Sequence, residues 1–165
     1  MSPSLAAEHL ARIAGGLAAG LPATALAPTD LGSRQWRRLI VTDDYDAWLI
    51  HWPTGGSVTP HDHGGSTGAF AVASGELVEV VLEPDRTVSR VLGVGEVMAV
   101  ADDTVHDVVN DGASPATSVH VYSPPLTSMA YYDAALALLG EEAVDAESPA
   151  WSMEALAPVA VIAGG

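Results

Sequence analysis

The strongest constraint on the fold is a series of short apolar or alternating runs that begins at Trp36. WRRLIVT, DAWLIHW, TGAFAVAS, ELVEVVLE, RTVSRVL, EVMAVA, HDVVN and TSVHVYS follow one another, separated by DDYD, PTGG, SGE, EPDR, GVGE, ADDT and NDGASP. Each run has the length of a strand. Each separator is rich in Gly, Pro, Asp or Asn, residues whose backbone or side chain favours chain reversal. About eight strands at this spacing predict an all-β architecture, a sandwich or barrel of the jelly-roll type.

The exception lies at the start. SPSLAAEHLARIAGGLAAG reads as a short helix with Leu5, Leu10, Ile13 and Leu17 near one face, Ser4 as its N-cap, and Gly15 and Gly16 weakening its middle. The expected organisation is a helix and connector over 1–33, the β-barrel over 34–133, and an alanine-rich, acidic segment over 134–165 that packs on or extends the barrel.

Charge and composition narrow the partners. The 165 residues carry a formal net charge of −15, with six arginines and no lysine. A nucleic acid or an anionic membrane needs a cationic patch, so neither is expected as a partner. No cysteine is present, which removes disulfides, iron–sulfur clusters and thiolate metal sites. Any metal must then be held by histidine, carboxylate or backbone oxygen. MSPSLAAEHLARIAGG lacks the features of a signal peptide, and no apolar stretch is long enough to span a bilayer. A soluble, cytoplasmic, monomeric protein is expected.

The six histidines are not spread evenly. PHDHGGSTGAF, residues 60–70, places His61 and His63 one residue apart. In an extended chain alternate side chains share a face, so both imidazoles project together and Asp62 turns away. Such a pair can occupy adjacent corners of one metal ion, and His106, in a later strand, completes a facial triad if the barrel brings it across. The plain alternative is a pair of surface or hydrogen-bonded histidines. The surrounding glycines favour the site. Gly55, His61, His63 and Gly75 match the first cupin motif, and Gly95, His106 and Asn110 match the second. Where most cupins carry a glutamate, this chain has Gly68. Without that carboxylate the full charge of a divalent ion stays available to an anionic substrate, and nitrogen donors suit iron, copper or zinc.

A second cluster lies in SVHVYSPP. Ser118, His120 and Tyr122 alternate with Val119 and Val121 and so share one strand face. Buried polar groups need partners, which a hydrogen-bond chain along the strand would supply. The blander reading is a polar row facing solvent. Upstream, Arg37 and Arg38 are neighbours in a strand, so only one can face inward. Periodicity does not say which.

PHDHGGSTGAF, VHDVVN and SVHVYSPPL, with WRRLIV as a weaker match, resemble the cysteine dioxygenase family over roughly residues 36–133. The resemblance implies a cupin barrel with Fe(II) on His61, His63 and His106, Arg38 clamping the substrate carboxylate, and Tyr122 acting at the reacting atoms with His120 and Ser118 behind it. It implies oxidation of L-cysteine by O2 to cysteine sulfinic acid. In animal members a cysteine at the position of Gly68 is cross-linked to the tyrosine; this chain has none, which matches the bacterial type. Two rival functions are a dioxygenase for another small thiol carboxylate such as 3-mercaptopropionate, and a non-catalytic metal-binding cupin that senses a small molecule. His9 and His51 are expected to be structural or exposed.

Overall fold

The computed structural model describes residues 3–144. A helix, α1, runs over Ala7–Gly20, and a single 3₁₀ turn follows at Ala23–Ala25. Ten strands follow: β1 Gln35–Val41, β2 Asp46–Trp52, β3 Thr67–Ser74, β4 Leu77–Leu82, β5 Thr87–Leu92, β6 Val97–Val100, β7 Val105–Val109, β8 Ala116–Ser123, β9 Ser128–Tyr132 and β10 Leu138–Ala143. The eight expected strands are β1 to β8. The strands form antiparallel sheets of five (β1-β2-β8-β3-β6), three (β5-β4-β7) and two (β10-β9). This is the cupin jelly roll, built as facing sheets and not as one continuously hydrogen-bonded barrel.

Strand alternation divides the five-stranded sheet into two faces. One face carries Ala47, Leu49, Ala69, Ala71, Val119 and Val121, and α1 packs on it with Leu10, Ala14 and Ala18 buried. Small residues let the helix lie close. A β-carbon on Gly15 would stand 3.3 Å from Val97 Cγ2, so the glycine that weakens the helix also sets its approach. Burial of a side chain such as Leu10 contributes about 1.5–3 kcal/mol.

The opposite face looks onto the two smaller sheets. The strand registers place Arg38, Trp48, His120 and Phe70 in one row across the sheet, and Asp46, Tyr122 and Gly68 in the next. Trp52, Phe70 and Val72 meet Leu77 and Leu92 from the three-stranded sheet and Tyr131 from the two-stranded one in a single core. Gly55, Gly75 and Gly95 all have positive φ, at 76°, 73° and 86°. At Gly75 a β-carbon would also fall 2.9 Å from Ala116, so glycine is required there twice over.

One expectation changes. Ser4 does not cap the helix, whose N-cap is Ala6 with no side-chain bond. Ser4 Oγ donates instead to the carbonyl of Ser123 (2.8 Å), and Ser123 Oγ receives the Leu5 amide (2.9 Å), which ties the chain start to the end of β8. Residues 134–144 include a strand, β10, paired with β9, and neither is marked by a local sequence pattern. The expectation for 145–165 lies outside the described residues.

Candidate metal centre

The segment carrying His61 and His63 lies between β2 and β3. His61 forms an antiparallel bridge with His106, through His61 N to His106 O (2.9 Å) and His106 N to His61 O (3.0 Å), and a second bridge with Tyr131 on β9. Directly paired residues point to the same side of a sheet, so the bridge sets the two imidazoles side by side. His63, two residues on, returns to that side. The three ring centroids lie 5.0, 4.9 and 5.0 Å apart, and one nitrogen from each ring falls within 4.8 Å of the others. All three residues are at most 4 % exposed.

The remaining nitrogens fix the tautomers. His61 Nδ1 donates to the carbonyl of Thr59 (2.8 Å), and His106 Nδ1 donates to Glu79 Oε1 (2.8 Å). Each bond leaves Nε2 with its lone pair directed at the cluster. Neither nitrogen of His63 has a partner among the described residues. Burial first, then the neighbouring rings, push the pKa of His61 and His63 well below its ordinary value, so these imidazoles are neutral. Neutral, buried, convergent nitrogens, with those of His63 unpartnered, suit a divalent transition metal. The charge expectation needs one correction. No carboxylate replaces the missing glutamate in the cluster among the described residues, yet the buried Glu79 stands directly behind His106 and would temper the charge of an ion held there.

Ser118, His120 and Tyr122 share the inner face of β8 and are all buried. Trp52 Nε1 donates to Ser118 Oγ (2.8 Å), Ser118 Oγ contacts His120 Nε2 (2.8 Å), and His120 Nδ1 contacts the Tyr122 hydroxyl (3.3 Å). An indole can only donate, so Ser118 accepts from Trp52. The arrangement that leaves no buried donor unused then has Ser118 donating to Nε2 and Nδ1–H donating to the phenol oxygen. The phenol proton is left to face the cavity. Phe70 stacks on His120 at 4.9 Å and 9°. Burial lowers the His120 pKa to about 3 and raises that of Tyr122, so both are neutral.

His61, His106, His120 and Tyr122 open onto one cavity of about 50 Å³, whose walls include Trp36, Trp48 and Trp52. Arg37 is exposed on the outer face of β1. Arg38 faces inward, with its guanidinium 4.6 Å over the Trp48 ring and Nε 3.7 Å from Asp46 Oδ2. Arg34, just before β1, also faces inward and lines the cavity. A β-carbon on Gly68 would stand 3.0 Å from Tyr122 Cδ1 and 3.2 Å from Cε1, so glycine leaves room for the phenol ring. His51 Nε2 bonds the Ala25 carbonyl (2.8 Å), and His9 is exposed. Asn110 is structural, bridging the carbonyls of Trp52 and Ser114.

Sequence reasoning missed Glu79, Arg34 and Tyr131. Glu79 left a signal, since it is in phase with the buried Leu77 on β4. Arg34 also left one: it is reached from Arg38 through Trp36 by steps of two. Tyr131, 6.2 Å from the His61 ring, left none, because no local pattern marks β9.

The fold and the three-histidine cluster define the chain as a cupin with a metal centre facing a small-molecule cavity. Similar solved structures include oxalate oxidase in complex with glycolate (23 % identity, TM-score 0.53, 62 % of this chain and 57 % of that one). The protein TT1209 from Thermus thermophilus is similar over 65 % of this chain and 98 % of that one (22 % identity, TM-score 0.55). A double-stranded β-helix protein from Klebsiella pneumoniae is similar over 66 % and 85 % (21 % identity, TM-score 0.56). These likenesses establish the fold, and the chain spans little more than half the oxalate oxidase. Residues 23–135 match the family described as cysteine dioxygenase type I, and the chain belongs to that family. No described helix is long and apolar enough to cross a membrane.

Proposed function

We propose that this protein is an Fe(II)-dependent thiol dioxygenase that converts L-cysteine and O2 to cysteine sulfinic acid. The observation that carries the reading is the convergence of His61, His63 and His106, the first and last of which line the cavity that also receives Tyr122, backed by His120 and Ser118. A metal-binding sensor needs the first of these but not the second. Ferrous iron on the three imidazoles would supply thiolate coordination and O2 activation. Both oxygen atoms end on sulfur, so no further reductant is needed.

The chain's own residues bind and orient the substrate. Tyr122 presents a phenol proton to the cavity and can donate it as a hydrogen bond to oxygen or carboxylate as charge develops there. His120 holds the phenol oxygen from behind, and Ser118 and Trp52 hold His120. The tryptophan-lined wall excludes water and strengthens each of these bonds. A guanidinium on the inner face of β1 receives the substrate carboxylate, and Arg38 is the one the family pattern points to. A cytoplasmic, monomeric setting belongs to the same reading.

A second substrate stays in play. The same three-histidine centre would serve a thiol acid without an amine, such as 3-mercaptopropionate. Anaerobic iron loading, then oxygen uptake with a panel of thiols and mass measurement of the products, decides between them. Gain of two oxygen atoms by L-cysteine is the expected result. Uptake with 3-mercaptopropionate alone would move the chain to the second substrate, and no uptake with any thiol would leave it a binding protein.

A further inference from the structure

His63 is held differently from the other two histidines of the cluster. The rings of His61 and His106 are each fixed by a hydrogen bond at Nδ1, to Thr59 and to Glu79, whereas neither ring nitrogen of His63 has a partner among the described residues. The direction of its imidazole is therefore set by its backbone and by the rings around it. The backbone is tied to β9 residue by residue. Tyr132 N donates to Pro60 O (2.8 Å), His61 bridges Tyr131, and Asp62 N donates to Ala130 O (2.9 Å). The chain leaves β9 at His63, and there the Asp62 side chain takes over. Its Oδ1 accepts from the amides of Gly64 (3.0 Å) and Ala130 (3.3 Å), and its Oδ2 accepts from the Tyr132 hydroxyl (2.7 Å). The Asp62–Gly64 bond closes a turn whose central residue is His63. Gly64 has φ 59°, and a β-carbon on it would stand 2.8 Å from the Ser128 carbonyl oxygen, so the start of β9 presses on the far side of the same turn.

We propose that Asp62 is a positioning residue for the metal centre: its carboxylate clamps the His63 turn to β9, so that the His63 ring meets those of His61 and His106. Strand alternation turns the Asp62 side chain away from the cluster, so it acts on the ion only through its neighbour. The ring it places lies 5.0 Å from each of the other two imidazoles and 4.7 Å from the Tyr122 ring, centroid to centroid. Nitrogen–metal distances hold to within about 0.2 Å, so a turn free to swing lowers affinity directly. Glu79 and Asp62 thus divide the work, one acting on the basicity of His106 and the other on the position of His63. The inference rests on the three-imidazole centre and is independent of which thiol is oxidised there.

The test is a double-mutant cycle on Zn(II) affinity, read by competition between metal-free protein and a chromophoric chelator, with circular dichroism to confirm that each variant is folded. Asp62→Ala should lower the affinity about 10- to 100-fold, the effect of losing a group that orients a ligand. In a His63→Ala background the same change should cost less than about twofold, because the ring it places is gone. Asp62→Asn keeps an oxygen for the two amides and should return the affinity to within about threefold of wild type. Tyr132→Phe removes one of the carboxylate's three bonds. It should cost about threefold, again only while His63 is present, and it carries the cycle if the alanine variant does not fold. A loss of equal size with and without His63 would make Asp62 a contributor to general stability and overturn the proposal. A folded alanine variant with wild-type affinity would overturn it too. An asparagine variant as weak as the alanine one would move the effect from the turn to the charge, and the clamp would fall. Wild-type protein that takes up no Zn(II) removes the metal centre, this role and the oxidation chemistry together, whereas the expected cycle in a protein that oxidises no thiol leaves the role of Asp62 standing.

Discussion

Glu79→Ala tests how far the metal centre depends on a residue that does not touch the metal. The Glu79 Oε1 to His106 Nδ1 bond is 2.8 Å long, and the two residues are 4 % and 1 % exposed. The bond selects the tautomer with a lone pair on Nε2, and its charge makes that lone pair more basic. Removing the carboxylate leaves a buried N–H without an acceptor and lets the ring rotate. A hydrogen bond to a charged group between buried partners contributes about 1.5–3 kcal/mol. Loss of such a supporting carboxylate lowers metal affinity about 10- to 100-fold. Tenfold corresponds to about 1.4 kcal/mol, so the two estimates overlap. Glu79→Gln keeps an acceptor but not the charge. Neutral hydrogen bonds are roughly half as strong, so it should forfeit about half that free energy. The assay is competition for Co(II) or Zn(II) between metal-free protein and a chromophoric chelator, with circular dichroism to confirm that each variant is folded. The expected order of affinity is wild type, then the glutamine variant, then the alanine variant. A folded alanine variant with wild-type affinity would show that the imidazole is held without the carboxylate, and the reasoning would fail.

Two further outcomes follow from the same inner face. Gly68→Ala places a methyl 3.0 Å from Tyr122 Cδ1, so the ring must shift by a few tenths of an ångström. Metal content should hold while oxygen uptake falls by up to about tenfold, and a variant with full uptake would show that the ring position is unimportant. Burial raises the pKa of the fully buried Asp46 to about 6, against 3.8 for the free side chain. An acid with a raised folded pKa gives its full stability below the unfolded value, and that stability is lost as pH rises through the folded one. The wild type should therefore lose about 3 kcal/mol relative to Asp46→Asn between about pH 4 and pH 7. Urea unfolding at fixed pH values reads this directly, and a difference that does not vary with pH contradicts it.

The legible parts of the molecule are those set by short-range periodicity. Strands β1 to β8 alternate or run apolar between clear turn residues. The pairing of His61 with His63, and of Ser118 with His120 and Tyr122, needs only the two-residue repeat of an extended chain. β9 and β10 are hidden because SPPLTSMAYYD opens on two prolines and ALALLGEEA reads equally well as a helix. Their identity is set by pairing with each other, and at Tyr131 by the bridge to His61, which no local pattern announces. Glu79 and Arg34 fall between these cases. Glu79 is in phase with the buried Leu77 on β4, and Arg34, just before β1, is in phase with the half-buried Trp36 and Arg38, but their partners lie elsewhere in the chain, at His106 and at Ser57. Alternation gives the side a residue faces; only the assembled sheets give what it meets there.

His61 bridges β7 through His106 and β9 through Tyr131, so a single residue fastens two sheets along one seam while offering its ring to the ion. Closing the jelly roll and assembling the coordination triangle are therefore one event. An ion gripped by these rings acts as a rivet across that seam, and a change that loosens the seam releases the ion with it.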